Sequence, residues 1–250
     1  MSGAFESMVE KFWGAWSRGE GYTDAYEGKI TLDDAYRLQL AVVDRRVEVG
    51  ERQIGWKVGL TSKPIQEQFG FFAPVFACVL NVHPSGHVLP PNLMKPGFET
   101  ELCVRLTRPL AGDVTRQEAL AAIETVMPAF EIVETRGPLR DLALIMADNG
   151  QQHSVVLGEP AAPRADLDEV AVRVWQNDVE VAQGVGAAVL GHPLESVVWL
   201  SRTLGAFGRS LRAGDIVMLG SFVRQFPMNP GDRAKATFSG IGSVEVRVSR

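Results

Sequence analysis

The segment 98–107 constrains the fold more than any other part of this chain, because it combines two carboxylates with a run of apolar residues. Side chains two residues apart in a β-strand point to the same face, so Glu99 and Glu101 would lie side by side. The opposite face would carry Leu102, Val104 and Leu106. Adjacent, partly buried carboxylates are unfavourable unless a cation neutralises them. The segment therefore predicts a strand with a cation-binding site on one face.

A third acid, Glu131, lies further along the chain inside the apolar segment 129–133. Carboxylates without a histidine partner favour Mg²⁺ or Mn²⁺ over Zn²⁺. A Glu-x-Glu pair on a strand is more often a solvated surface, but the apolar setting of Glu131 favours a metal site. We therefore predict that Glu99, Glu101 and Glu131 bind Mg²⁺ or Mn²⁺.

A candidate functional lysine, Lys57, lies in the segment 54–61, where apolar residues alternate with glycine, lysine and threonine. This period of two predicts a strand. Glycine stands two residues before and two residues after Lys57, so its ammonium would be unshielded and a ligand could approach the backbone closely. A lysine is by itself more often a surface residue, but this setting favours a functional one.

The composition is that of an ordinary globular protein, and it excludes several functional classes. Of 250 residues, 46% are hydrophobic and 22% charged, and 25 glycines and 14 prolines indicate many turns and strands. A net charge of −5 predicts no nucleic-acid partner. The apolar runs are too short for a membrane span. Two cysteines, Cys78 and Cys103, argue against a disulfide framework and favour the cytoplasm.

The periodicity of the sequence predicts an α+β fold with a helical region at 1–52 and a β-rich catalytic domain at 53–250. Helices are predicted at 4–18, from Thr31 to Gly50, and at 63–69, 115–126 and 193–207. Strands are predicted at 54–61, within 75–89, at 98–107 and 129–133, in a hairpin of 170–175 and 179–182, and at 215–219, 233–239 and 243–248.

The histidines offer one candidate proton carrier. His153 follows the polar run 148–152, and a histidine suits proton transfer near neutral pH, although a polar role at a strand start is the commoner one. A zinc site at His83 and His87 is disfavoured for lack of cysteine partners. The Gly-Ser-Phe segment at 220–222 lacks the spacing of a nucleophile elbow, which disfavours a serine hydrolase.

Taken together, these segments resemble the fumarylacetoacetate hydrolase superfamily, in its branch of 2-keto-4-pentenoate hydratases and 4-oxalocrotonate decarboxylases. The resemblance runs from about Thr31 onward, and its most specific segments are 55–62, 99–101, 128–131, 147–149, 190–193 and 240–243. It implies a mixed β-roll with a small N-terminal helical region, assembled into a homo-oligomer. It also implies that Glu99, Glu101 and Glu131 hold Mg²⁺ or Mn²⁺ and that Lys57 serves substrate binding and proton transfer.

The activity implied by the resemblance is that of a lyase on a short 2-hydroxydienoic or 2-oxo acid from aromatic meta-cleavage. We predict the hydratase type, with the decarboxylase as the alternative. An acylpyruvate C–C hydrolase and an inactive partner subunit, in complex with a pathway enzyme, are further alternatives. We predict four substrate-binding residues, Leu60, Thr61, Asp148 and Gln151.

Two departures from the family pattern bear on the choice between hydratase and decarboxylase. Val75 stands where hydratases of this branch tend to carry an aspartate, which is more typical of the decarboxylases. Gln151, Gln152 and His153 stand where relatives usually carry small residues. We therefore hypothesise that the acid–base function has moved to His153, or that the substrate differs from the common one.

Overall fold

The computed structural model describes residues 3–250, which form six α-helices and two β-sheets. The helices are α1 (Gly3–Ser17), α2 (Leu32–Glu48), α3 (Lys63–Phe69), α4 (Arg116–Leu120), α5 (Leu142–Ala147) and α6 (Leu194–Thr203). The strands are β1 (Gly55–Gly59), β2 (Val75–Val79), β3 (Val82–Pro84), β4 (His87–Leu89), β5 (Pro96–Leu106), β6 (Ile123–Glu134), β7 (Gln152–Leu157), β8 (Ala171–Gln176), β9 (Val179–Val185), β10 (Ile216–Ser221), β11 (Phe226–Pro227), β12 (Arg233–Phe238) and β13 (Gly242–Val248).

The larger sheet has the strand order β2-β1-β10-β5-β6-β7-β3, with β11 paired to β5. It is mixed, because β1 pairs with β10 and β3 with β7 in parallel, whereas the other neighbours are antiparallel. The smaller sheet has the order β4-β13-β12-β8-β9, and β12 alternates exposed and buried residues as a sheet with one solvated face does. The α+β prediction is confirmed.

The two faces of the larger sheet are both buried at its centre, where β5 and β6 pair. One face packs into the main apolar core through Leu102, Val104, Phe130 and Ile132. The other face, here called the carboxylate face, carries Glu99, Glu101 and Glu131 together with a second apolar cluster. That cluster consists of Val79, Cys103, Met127, Ala129, Val155, Leu157, Ile216 and Met218.

The N-terminal helices form where the sequence predicts them. Thr31 caps α2 through a capping box, in which its hydroxyl accepts from the Asp34 backbone N–H while Asp34 accepts from the Thr31 N–H. α2 packs against α1 on one side and α5 on the other. In the part of the chain from residue 3 onward, no helix is long and apolar enough to span a bilayer. The boundary at residues 52 and 53 stays a prediction.

The helix predicted at 115–126 is wrong in its second half. Thr115 does open a helix through a capping box with Glu118, but α4 ends at Leu120 and β6 begins at Ile123. Ile123 pairs with Leu106 and Val126 with Val104, so pairing with β5 extends through this segment. Long-range strand pairing of β-branched residues overrides the local helical preference of the alanines.

Candidate metal centre

Three carboxylates meet at the centre of the carboxylate face. Glu99 on β5 lies directly opposite Glu131 on β6, and Glu101 follows two residues further along β5. One oxygen from each carboxylate lies within 4.8 Å of the other two. Glu101 and Glu131 are 1% and 0% exposed, whereas Glu99 is partly exposed. The strand register therefore brings the three predicted glutamates together, with one of them nearest to solvent.

A bulge in β10 supplies the one hydrogen bond that the Glu101 carboxylate accepts within residues 3–250. The register between β10 and β5 shifts between Met218 and Ser221, and the Gly220 N–H donates to Glu101 Oε2 at 2.9 Å. Gly220 has φ +113°, and a Cβ at this position would clash with the buried side chain of Thr61. Bulges re-aim groups in this way beside functional sites. Thr61, a predicted substrate-binding residue, is thereby placed beside the cluster.

Lys57 is buried within the cluster, which corrects the expectation of an unshielded ammonium. Its Nζ lies 3.1 Å from Glu131 Oε1 and donates to the Gly150 carbonyl at 3.1 Å. The flanking glycines do not leave open space, because a Cβ on Gly55 would clash with the Ile216 backbone and one on Gly59 would lie 3.3 Å from Val75. The segment after α5 covers the ammonium itself. Gly150 is 93 residues from Lys57 in the chain, so the local sequence around Lys57 could not predict this contact.

The charges in the cluster do not balance. Burial, together with the Glu131 and Glu99 carboxylates, holds the pKa of Glu101 well above its usual range. Burial likewise raises the pKa of Glu131 to about 7, although Lys57 opposes this. Burial lowers the pKa of Lys57, but the three carboxylates raise it more, so the pKa lies above that of an ordinary lysine. The raised pKa values of both acids reflect a shortage of positive charge, since within residues 3–250 the three carboxyl groups of the cluster face one ammonium.

Unsatisfied oxygens show that the cluster fits a divalent cation. Glu101 Oε1 and Glu131 Oε2 have no partner within residues 3–250, and Glu131 Oε1 is contacted by the Lys57 ammonium at 3.1 Å. Buried polar atoms are rarely left this way in folded proteins. An all-carboxylate set suits hard cations such as Mg²⁺ and Mn²⁺. Glu99, Glu101 and Glu131 could hold such an ion.

The carbonyl that binds Lys57 belongs to a strained left-handed turn, which the sequence reasoning missed. Asn149, Gly150 and Gln151 have φ values of 54°, 57° and 60°. The Asn149 side chain clamps this turn onto β2, because its Oδ1 accepts from the Cys78 N–H and its Nδ2 donates to the Cys78 carbonyl, both at 2.9 Å. The Asn-Gly pair was the available signal, since both residues tolerate positive φ.

Of the remaining predicted substrate-binding residues, Gln151 belongs to this turn, Asp148 precedes it, and Leu60 follows β1. Asp148 is buried in a two-pronged ion pair with Arg136, whose Nη2 and Nε donate at 2.7 and 3.1 Å. Leu60 has φ +53°, and its carbonyl accepts from Gln66 Nε2 at 2.8 Å. Gln151 is buried, and its side chain lies within hydrogen-bonding reach of the Tyr22 hydroxyl. Asp148 is thus engaged by Arg136, and Gln151 lies beside Tyr22.

His153 lies on β7, and its side chain does not hydrogen-bond to the three glutamates or to Lys57 within residues 3–250. It is the extra residue where β7 shifts register against β6, and its Nδ1 hydrogen-bonds to Ser154 Oγ at 3.0 Å. Burial lowers the pKa of His153, partly opposed by Glu134, and Arg136 lowers it further. None of its hydrogen bonds within residues 3–250 reaches the three glutamates. A proton-transfer role for His153 stays a prediction, and the geometry favours Lys57.

A substitution at Gly150 tests whether the position of Lys57 matters. In Gly150→Ala the new Cβ would lie 2.9 Å from Lys57 Cε, at a φ of +57°. We expect kcat to fall about tenfold or more, because the ammonium must move, while calorimetric Mg²⁺ affinity stays within about twofold. Gly208→Ala is the matched control, since Gly208 has φ +67° and open space at the Cβ position. Equal losses in both variants would contradict the interpretation.

A carboxylate cluster with one buried lysine, on the mixed sheet of an α+β fold, places this chain among candidate metal-dependent enzymes. The chain belongs to the fumarylacetoacetate hydrolase family, because the model of the family's C-terminal domain matches residues 47–249. The prediction made from the sequence motifs is confirmed.

Two curated relatives and one solved structure carry the likeness further. The chain is 35% identical over 231 residues to a 2-hydroxyhexa-2,4-dienoate hydratase of Comamonas testosteroni, covering 88% of this chain and 87% of that protein. It is 36% identical over 223 residues to a 2-keto-4-pentenoate hydratase of Paraburkholderia xenovorans (strain LB400), covering 86% and 83%. The 4-oxalocrotonate decarboxylase from Pseudomonas putida G7, complexed with magnesium and adipate, superposes with a TM-score of 0.92 at 29% identity, covering 98% and 97%. The predicted β-roll is confirmed, and these relatives are lyases.

Proposed function

We propose that this chain is a divalent-metal-dependent lyase that hydrates short 2-hydroxydienoic or 2-oxo acids from the meta-cleavage of aromatic compounds. The observation that carries the proposal is the cluster of partly exposed Glu99 with buried Glu101, Glu131 and Lys57, in which Glu101 Oε1 and Glu131 Oε2 have no partner within residues 3–250. The names of the two hydratases support the substrate class.

The cofactor in this proposal is Mg²⁺ or Mn²⁺, held by Glu99, Glu101 and Glu131. The magnesium complex of the related decarboxylase supports Mg²⁺. When bound, the ion would supply positive charge that stabilises negative charge developing on the substrate's C2 oxygen and carboxylate.

The chain's own residues would orient the substrate and move protons. Lys57 is fixed from two sides by Glu131 and Gly150, so its Nζ would donate to the substrate oxygen or return a proton to the carbon skeleton. Thr61, beside the Gly220 bulge, and Gln151, next to the Gly150 carbonyl that binds Lys57, would contact the substrate. Leu60 would line the site, and Asp148 would hold the left-handed turn, because its carbonyl accepts from the Gln151 N–H at 3.1 Å.

A decarboxylase on the same site is the second candidate, and Val75 favours it. Val75 is buried at the start of β2 and is paired with Gly59 on β1, two residues from Lys57. No carboxylate at position 75 can therefore assist the addition of water. Loss of CO₂ needs only protonation of the resulting carbanion, which Lys57 would provide.

Assembly and location complete the proposal. We propose a cytoplasmic homo-oligomer that acts on a small acid.

A paired substrate assay tests the function. With Mg²⁺, we expect 2-hydroxypenta-2,4-dienoate to be hydrated to 4-hydroxy-2-oxopentanoate with a kcat of about 1–10³ s⁻¹. The loss of dienol absorbance and the appearance of product by NMR measure this. In parallel, 2-oxohexenedioate is incubated and CO₂ is trapped. CO₂ release without hydration would favour the decarboxylase, and inertness toward both acids would contradict a lyase.

A further inference from the structure

Gln152 is a buried glutamine whose side-chain amide is unused by the fold. It is 2% exposed, and neither Nε2 nor Oε1 has a hydrogen-bond partner among residues 3–250. Buried amides almost always have partners, because leaving them unsatisfied is strongly unfavourable. A ligand that both donates and accepts hydrogen bonds would satisfy both atoms.

The strand register places Gln152 on the carboxylate face. Gln152 pairs directly with Val133, and Val133 is two residues from Glu131 on β6, so the three side chains share a face. Lys57 contacts β6 and the turn that precedes β7, since its Nζ lies 3.1 Å from Glu131 and donates to the carbonyl of Gly150, two residues before Gln152. The free amide therefore lies beside the proposed metal and proton-transfer groups.

The surroundings of Gln152 suit a neutral ligand. Its cross-strand partner Val133 is buried and apolar. Gly97 lies on the other side of Val133, and a Cβ on Gly97 would clash with the amide of exposed Gln225. Gly97, Val133 and Gln152 are therefore paired side by side across three strands. The Gln225 amide lies beside Gly97 at one end of this row, and the Gln152 amide lies at the other. A hydroxyl group of the ligand suits these neutral amides better than a second carboxylate of the ligand, because a buried carboxylate would need a cation beside it.

We propose that the Gln152 amide binds the hydroxyl group that the reaction adds. This inference rests on the hydratase function proposed above. In that reaction one water adds across the C3=C4 double bond of the 2-oxo acid: its oxygen and one proton end on C4, and the other proton ends on C3. Gln152 Nε2 donates to that oxygen and Oε1 accepts its proton, in the water before addition and in the C4 hydroxyl afterwards.

Two product analogues separate this role from a structural one. The dissociation constants of 4-hydroxy-2-oxopentanoate and 2-oxopentanoate are measured by calorimetry with Mg²⁺ present. The compounds differ only in the C4 hydroxyl, so wild type should bind the hydroxylated one about tenfold more tightly. In Gln152→Leu this preference should fall to about onefold, while 2-oxopentanoate keeps its wild-type affinity.

A matched control removes a buried amide elsewhere. Gln39 on α2 is fully buried and donates to the Phe76 carbonyl, so Gln39→Leu should keep the tenfold preference. The Tm of Gln152→Leu should equal or exceed that of wild type, because no hydrogen bond of the fold is lost. Gln152→Met provides a second apolar replacement if leucine lowers the Tm.

The outcomes distinguish this inference from the proposed function. A Gln152→Leu variant that keeps the preference for the hydroxylated compound would contradict the role of Gln152, as would a wild type that binds both compounds equally. A wild type that binds neither compound in the presence of Mg²⁺ would overturn the proposed function as well.

Discussion

Removal of divalent cations will lower the turnover of 2-hydroxypenta-2,4-dienoate by about 1000-fold or more, and added Mg²⁺ or Mn²⁺ will restore it. Without the ion, an anionic substrate would meet three carboxylates and only one ammonium. Metal ions supply several kcal/mol of charge stabilisation in such reactions, and about 4 kcal/mol corresponds to 1000-fold. The measurement is kcat after treatment with EDTA and gel filtration, followed by titration with each metal.

A single carboxylate variant should reproduce most of this loss. Glu101→Gln keeps the shape of the side chain and the acceptor for the Gly220 N–H but removes the charge. We expect Mg²⁺ affinity, measured by calorimetry, to fall about 100-fold. Glu124→Gln is the control, because Glu124 is an exposed glutamate on β6, the strand that carries Glu131. Full turnover in chelated protein, or unchanged Mg²⁺ affinity in Glu101→Gln, would refute the metal site.

The sequence was sufficient to predict the groups that a strand period determines. Glu99 and Glu101 share a face because strand geometry is local, and Leu102 and Val104 accordingly lie in the opposite core. The sequence predicted Glu131 as the third carboxylate by a weaker argument, because an acid in an apolar strand needs a neutralising partner. Its direct register with Glu99 depends on the pairing of β5 with β6, which no local pattern encodes.

What the sequence could not predict depends on contacts between distant segments. The burial of Lys57 comes from the turn at Asn149–Gln151, which Asn149 fixes to Cys78. The Gly220 N–H reaches Glu101 only because β10 bulges against β5. The helix predicted at 115–126 was wrong in its second half for the same reason, since residues from Ile123 onward pair with β5 and form β6. Local propensity is outweighed at each of these points by tertiary pairing.

Replacement of Lys57 is the second large effect that we expect. Lys57→Met should lower kcat by about 100- to 10,000-fold, the usual contribution of a positioned proton-transfer group. The Mg²⁺ affinity should be retained or increased, because the variant removes a positive charge 3.1 Å from Glu131. Loss of turnover with intact metal binding distinguishes Lys57 from a metal-site residue. The measurements are kcat, KM and Mg²⁺ calorimetry on the same preparations.

The controls for Lys57 address folding and the competing histidine. Breaking a buried ion pair destabilises a protein by about 3–5 kcal/mol, so the Tm must be compared with Mg²⁺ bound. Lys63→Met alters an exposed lysine at the start of α3 and should leave turnover unchanged. In Lys57→Ala, small primary amines such as methylamine should restore part of kcat, which a structural role would not allow.

His153→Ala should keep wild-type turnover, because His153 hydrogen-bonds to Ser154 rather than within the cluster. Should His153→Ala lose as much activity as Lys57→Met, the acid–base function would belong to the histidine after all.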